Sequence, residues 1–157
     1  MDYDIESPLT AFPQADSALI SNYARLGLVT DLALHQSDLA DSSISGLIKR
    51  VCAASSVQQA RFFFDYENRP YAYVSWAQFS KAEHHQLLAK NSGDLDQLEH
   101  FFIQREGAYL WFYDLICPFS SPLQIFKTLK QTMPAFSMAH LLQRSPLDEN
   151  KRIRRIW

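Results

Sequence analysis

Between Ala108 and Ile116 the chain reads Ala108-Tyr109-Leu110-Trp111-Phe112-Tyr113-Asp114-Leu115-Ile116, where a single charged residue interrupts an otherwise apolar and aromatic run. Aromatic residues favour strands, and nine residues closed off by Pro118 are strand-sized. Period-two alternation sends Leu110, Phe112, Asp114 and Ile116 to one face and Tyr109, Trp111, Tyr113 and Leu115 to the other. Both faces are apolar, so this strand must be central and covered on two sides. Asp114 is then a carboxylate in a buried strand. It needs a partner or a proton, because burying an unpaired charge costs several kcal/mol.

The remaining chain supplies the covering layers. Asp16 or Ser17 can cap a helix carrying Leu19, Ile20, Tyr23, Ala24 and Leu26, with Gly27 as its end. Ser43 caps a second helix whose stripe is Ile44, Leu47, Ile48, Val51 and Cys52. The period then changes to two in Arg61–Tyr66 and Tyr71–Ala77, joined by Glu67-Asn68-Arg69-Pro70, which is a hairpin pattern. Ser80-Lys81-Ala82-Glu83 has capping-box spacing and starts a helix running to about Lys90, stopped by Asn91-Ser92-Gly93-Asp94. A short helical stretch follows near Leu95–Ile103. Pro122 opens a helix, after Ser120 or Ser121, that Pro134 terminates. Phe136–Leu142 and Lys151–Trp157 read as two more strands joined by a turn over Ser145–Asn150. Helices first, then a hairpin, then alternating helices and strands, predict an α/β (α+β) layered sheet and not a bundle.

With 157 residues, 47% of them hydrophobic, there is material for one core. The expected organisation is a tail over 1–14 and one domain over 15–157. A net charge of −2 gives no global field for nucleic acid. Two cysteines, Cys52 and Cys117, provide neither a disulfide framework nor a four-ligand metal site. The acidic opening Met1-Asp2-Tyr3-Asp4-Ile5-Glu6 and the lack of a spanning apolar run point to the cytoplasm and to no membrane span.

Five histidines, His35, His84, His85, His100 and His140, include no i, i+4 pair for a metal. His84 and His85 diverge by about 100° on a helix and are expected at a solvated edge. His35 lies where two helical patterns meet, a place to present a general base. Four glycines leave no nucleophile elbow and no phosphate loop. The terminal Lys151-Arg152-Ile153-Arg154-Arg155 alternates charge with apolar residues, as an edge strand does.

Two blocks carry a resemblance. Pro70-Tyr71-Ala72-Tyr73-Val74-Ser75-Trp76-Ala77 resembles the Pro-x-Ala-Tyr-x-Ser-Trp-Ala signature of the toxin-activating lysine acyltransferases. Trp111-Phe112-Tyr113-Asp114-Leu115-Ile116-Cys117-Pro118-Phe119 is similar to that family's Trp-Phe-x-Asp-x-x-x-Pro-Phe block. The resemblance implies a fold similar to the GNAT acetyltransferases, acyl carrier protein as acyl donor with no bound cofactor, an RTX protoxin as acceptor, and a homodimer. It makes Asp114 the catalytic aspartate. The family's Ser-x-x-His segment aligns with Ser37-Asp38-Leu39-Ala40, so the serine is kept and the histidine position is Ala40. The family's nearby asparagine corresponds to Val51. His35 is then the substitute base, Ser37, Arg152 and Arg154 the substrate-binding residues, and a non-catalytic protein that holds acyl carrier protein or toxin the alternative.

Overall fold

The computed structural model describes residues 17–36, 44–89, 101–145 and 148–157. Its described elements are α1 (Ser17–Leu34), α2 (Ile44–Ser56), β1 (Ala60–Phe64), β2 (Pro70–Phe79), α3 (Lys81–Ala89), a 3₁₀ turn (Phe101–Ile103), β3 (Tyr109–Ile116), α4 (Pro122–Thr132), β4 (Met138–Ser145) and β5 (Asp148–Arg155). The strands form one sheet in the order β1-β2-β3-β4-β5, antiparallel except for the parallel pair β3/β4. This is an α/β (α+β) layered sheet flanked by helices, as expected, mostly antiparallel and consistent with a GNAT-like layout.

Local chemistry accounts for the elements. In the β1–β2 hairpin Asp65 Oδ1 accepts the N–H groups of Glu67 and Arg69 at 2.8 and 2.9 Å, and Asn68 turns the chain at φ 59°. Helix α3 begins with its capping box closed: Glu83 Oε2 accepts from Ser80 N at 2.8 Å, and Ser80 Oγ from Glu83 N at 3.4 Å. Helix α4 starts on Pro122 and ends before Pro134, both as expected.

Helices α1, α2 and α3 cover one face of the sheet. Val29, Leu32 and Ala33 of α1 meet Leu47 and Val51 of α2 over Tyr73 and Ile116, while Ala54 and Leu87 pack on Ala77, Trp111 and Leu142. Helix α4 covers the other face with Ile125, Phe126 and Leu129 on Val74, Leu110, Phe112 and Ala139. The central strand β3 is thus buried on both sides.

Several expectations are corrected. Helix α1 continues past Gly27 to Leu34, since an α-helix accepts one glycine at a cost of about 1 kcal/mol. Its buried stripe comes later than predicted, and Tyr23 is 65% exposed. In α2 the buried set is Leu47, Val51 and Ala54, with Ile44, Ile48 and Cys52 exposed. The β4–β5 turn is shorter than Ser145–Asn150, because Ser145 already pairs with Asp148. His84 is not at a solvated edge: it is 3% exposed. The N-caps Asp16 and Ser43, the stop at Asn91–Asp94 and the stretch Leu95–His100 lie outside the described residues.

The largest correction lies within β3. Ser75 pairs with Asp114 and Trp76 with Phe112, so Tyr113 is an extra residue opposite the Ser75–Trp76 step of β2. Such a β-bulge resets the alternation. Leu110 and Phe112 face α4, but Asp114 and Ile116 face α1 and α2 along with Tyr113.

Candidate active site

The parallel pairing of β3 with β4 runs from Tyr109/Met138 to Phe112/Leu141 and extends no further. Beyond it β3 continues through Asp114 to Ile116 paired with β2 but no longer with β4, and a cleft of about 1040 Å³ opens beside that end of the strand. Its walls combine β3 from Tyr113 to Ile116, Leu141 and Leu142 of β4, Arg154 and Arg155 of β5, the α4 side chains Leu123, Phe126, Lys127 and Lys130, and His35 with Gln36. Ile156 and Trp157 add apolar surface. Trp157 is fixed by an edge contact with Phe112, centroids 5.7 Å apart, and by donating from Nε1 to the Phe136 carbonyl at 3.2 Å.

Asp114, 7% exposed, has the partner its burial demands. Arg50 Nε of α2 donates to both carboxylate oxygens at 3.0 Å. Ser75 Oγ adds a long bond to Oδ2 at 3.4 Å. Tyr73, two residues before Ser75 on the same strand face, completes a polar cluster beneath the sheet. Burial pushes the Tyr73 phenol up, with the Asp114 carboxylate adding to the shift, so Tyr73 stays a neutral phenol. The signature residues Tyr73 and Ser75 thus touch the same chemistry as Asp114, through the β2/β3 register.

His35 lies just past the last turn of α1, where its ring packs on Phe119 with centroids 5.2 Å apart. Its Nε2 is 3.9 Å from Asp31 Oδ1, too far for a hydrogen bond and in an exposed setting. Gln36 ties this corner to the strand, accepting from Cys117 N at 2.8 Å. The structure therefore brings His35 and Asp114 to one cleft, while the side chain bonded to Asp114 is Arg50. Ser37 and Ala40 lie outside the described residues. Arg154 is exposed on the cleft wall, on the outermost strand of the sheet. Arg152 pairs with Gln143 in the same strand, and its side chain is outside the described residues.

Four contributors escape a reading of the sequence by motif. Arg50 had a signal: Leu47, Arg50, Val51 and Ala54 fall at i, i+3, i+4 and i+7, so a guanidinium stands on the buried stripe. Lys127 and Lys130 sit three apart on α4 and can share a face, but nothing local says that the face borders a cleft. Gln36 gives no signal at all.

Among the described residues no group of three metal-ligating side chains is found, and no helix is long and apolar enough to cross a membrane. A mixed sheet that parts beside a buried carboxylate, with apolar walls and a cationic rim, is a frame suited to acyl transfer. The family model that matches, over residues 19–157, is that of the RTX toxin acyltransferases. The chain belongs to the RTX toxin acyltransferase family. Comparison with curated proteins gives no match.

Proposed function

We propose that the chain moves a fatty acyl group from acyl carrier protein to lysine side chains of an RTX protoxin in the cytoplasm, working as a homodimer without a bound cofactor. Family membership supports the reaction class. The single observation that carries the site is the cleft at the parting of β3 and β4, with Asp114 buried in its wall. Leu123, Phe126, Ile156 and Trp157 offer apolar surface for an acyl chain, and Lys127, Lys130, Arg154 and Arg155 suit an acidic carrier.

In this reading His35 takes a proton from the attacking lysine, whose ordinary pKa near 10.4 otherwise keeps it protonated. The amine nitrogen bonds to the thioester carbonyl carbon. The second proton on that nitrogen passes to water, the carbon–sulfur bond breaks, and the carrier thiolate takes up the proton held by His35 and leaves as the thiol. Asp114 supplies negative charge that favours the imidazolium. Ser37, Arg152 and Arg154 hold substrate.

A second reading has one observation in its favour. Asp114 is engaged by Arg50, and the position aligned with the family histidine is Ala40. A protein that binds carrier or toxin without turnover would keep the cleft and lose the base. Incubation with acyl carrier protein charged with labelled fatty acid, plus the protoxin, followed by mass spectrometry decides between them. Label on a toxin lysine supports the enzyme; carrier or toxin binding without label supports the binder.

A further inference from the structure

We propose that Arg50 is a positioning residue of this acyl-transfer site, fixing the Asp114 carboxylate in one orientation while leaving acceptor capacity on its Oδ1. The proposal rests on the acyl-transfer reading above and names a residue that neither sequence block contains.

Three observations converge on it. The Arg50 side chain is 12% exposed and rises from the buried stripe of α2, a place a cation occupies only with a counter-charge. Its Nε meets Oδ1 and Oδ2 at the same 3.0 Å, so one N–H is shared between the two oxygens and a turn of the carboxylate lengthens one of the contacts. Finally, an ionised carboxylate offers about four lone-pair sites. Oδ2 accepts from Arg50 and Ser75, whereas Oδ1 accepts from Arg50 alone among the described residues. Oδ1 therefore has a site left for an imidazolium or ammonium N–H in the cleft that Asp114 lines.

The bulge at Tyr113 is what makes the grip possible, since it turns Asp114 toward α2. The charged and titratable groups around the carboxylate are Arg50 from α2, Tyr73 from β2 and Tyr113 beside it on β3, with His35 at the end of α1 on the same cleft. Tyr73 stays neutral, so Arg50 is the positive charge that offsets Asp114. Without it a buried carboxylate is relieved by taking up a proton, and the acceptor becomes a donor.

The test compares Arg50→Met, Arg50→Lys and the neutral pair Arg50→Met with Asp114→Asn, measuring kcat and KM for acyl carrier protein from about pH 6 to about pH 9. Arg50→Met is expected to lower kcat on the order of a hundredfold near neutral pH with KM unchanged. That deficit shrinks toward alkaline pH as the bare carboxylate ionises. Arg50→Lys recovers most of the rate, and the double variant is no slower than Asp114→Asn alone. A loss uniform across pH, or no loss, would overturn the proposal. Infrared titration of protein carrying ¹³C-labelled aspartate gives a readout independent of turnover, with the Asp114 carboxyl band assigned by its absence in Asp114→Asn. The protonated band should appear at higher pH in Arg50→Met than in the parent. Coincident titrations overturn the role of Arg50 even if the parent transfers no acyl group, in which case the activity reading fails separately.

Discussion

Trp111 Nε1 donates to His84 Nδ1 at 3.0 Å, deep under helix α3. The bond requires an unprotonated Nδ1, so His84 is the neutral tautomer with its proton on Nε2. Tyr109 stacks on the same imidazole at 4.2 Å, and His140 lies 4.9 Å from it with its own ring stacked on Trp111 at 5.1 Å. His140 Nδ1 is buried with no hydrogen-bond partner among the described residues. Two imidazoles thus stand in for apolar core residues beneath α3.

This core should be acid-sensitive. Burial, then the neighbouring His84 and Arg155, push His140 down to about 4, and burial followed by His85 pushes His84 down. The unfolded chain binds these protons near the ordinary histidine value of 6.5 while the folded chain refuses them, so stability is full above that value and falls as pH drops toward about 4. For His140 alone the slope is at most about 1.4 kcal/mol per pH unit. Urea denaturation of parent and His140→Gln across this range should show curves that converge in acid; a constant difference would remove His140 as the cause.

Asp114→Asn is expected to abolish acyl transfer, and the ion pair adds a second expectation. The amide leaves Arg50 charged and unpaired, which costs about 3 kcal/mol. Thermal denaturation should therefore report a destabilised but folded protein, whereas unchanged stability would mean that water replaces the carboxylate at little cost.

Gly107 has φ +141°, and a Cβ built there would stand 1.9 Å from the Phe79 carbonyl oxygen. Gly107→Ala should lose on the order of 2–3 kcal/mol, combining backbone strain with displacement of the β2–α3 junction. A Tm within a degree of the parent would show that this junction yields freely.

Charge reversal on β5 tests the rim. Arg152→Glu with Arg154→Glu should slow association with acyl carrier protein while changing dissociation little, and added salt should mimic it in the parent, given screening over about 8 Å. Surface plasmon resonance across a salt series measures both rates. An association rate indifferent to salt and to reversal would place carrier docking elsewhere.

The features legible in the sequence are those fixed by short-range chemistry. Glu67-Asn68-Arg69-Pro70 announces the hairpin turn, Ser80 and Glu83 the start of α3, and Pro122 and Pro134 the ends of α4. What escaped depends on contacts distant in sequence. His84 sits in Lys81–Ala89, where no apolar stripe points inward, and only the indole N–H from β3 makes it a core residue. Alternation along β3 puts Asp114 on the wrong face because alternation is local while a bulge is decided by the register with β2. Arg50 stands on the buried stripe of α2, but nothing near it names its partner, which is Asp114, 64 residues downstream.

The bulge at Tyr113 divides β3 into two halves that answer to different demands. Ahead of it, side chains are selected for volume, wedged between α4 and the histidine-lined interior. After it, the same strand delivers a charge to the opening cleft. A register that kept Tyr113 but closed the bulge would leave composition and hydrophobicity unaltered, yet would turn the carboxylate to the α4 side, away from Arg50. The site is therefore more vulnerable to a shift in reading along this strand than to most substitutions within it.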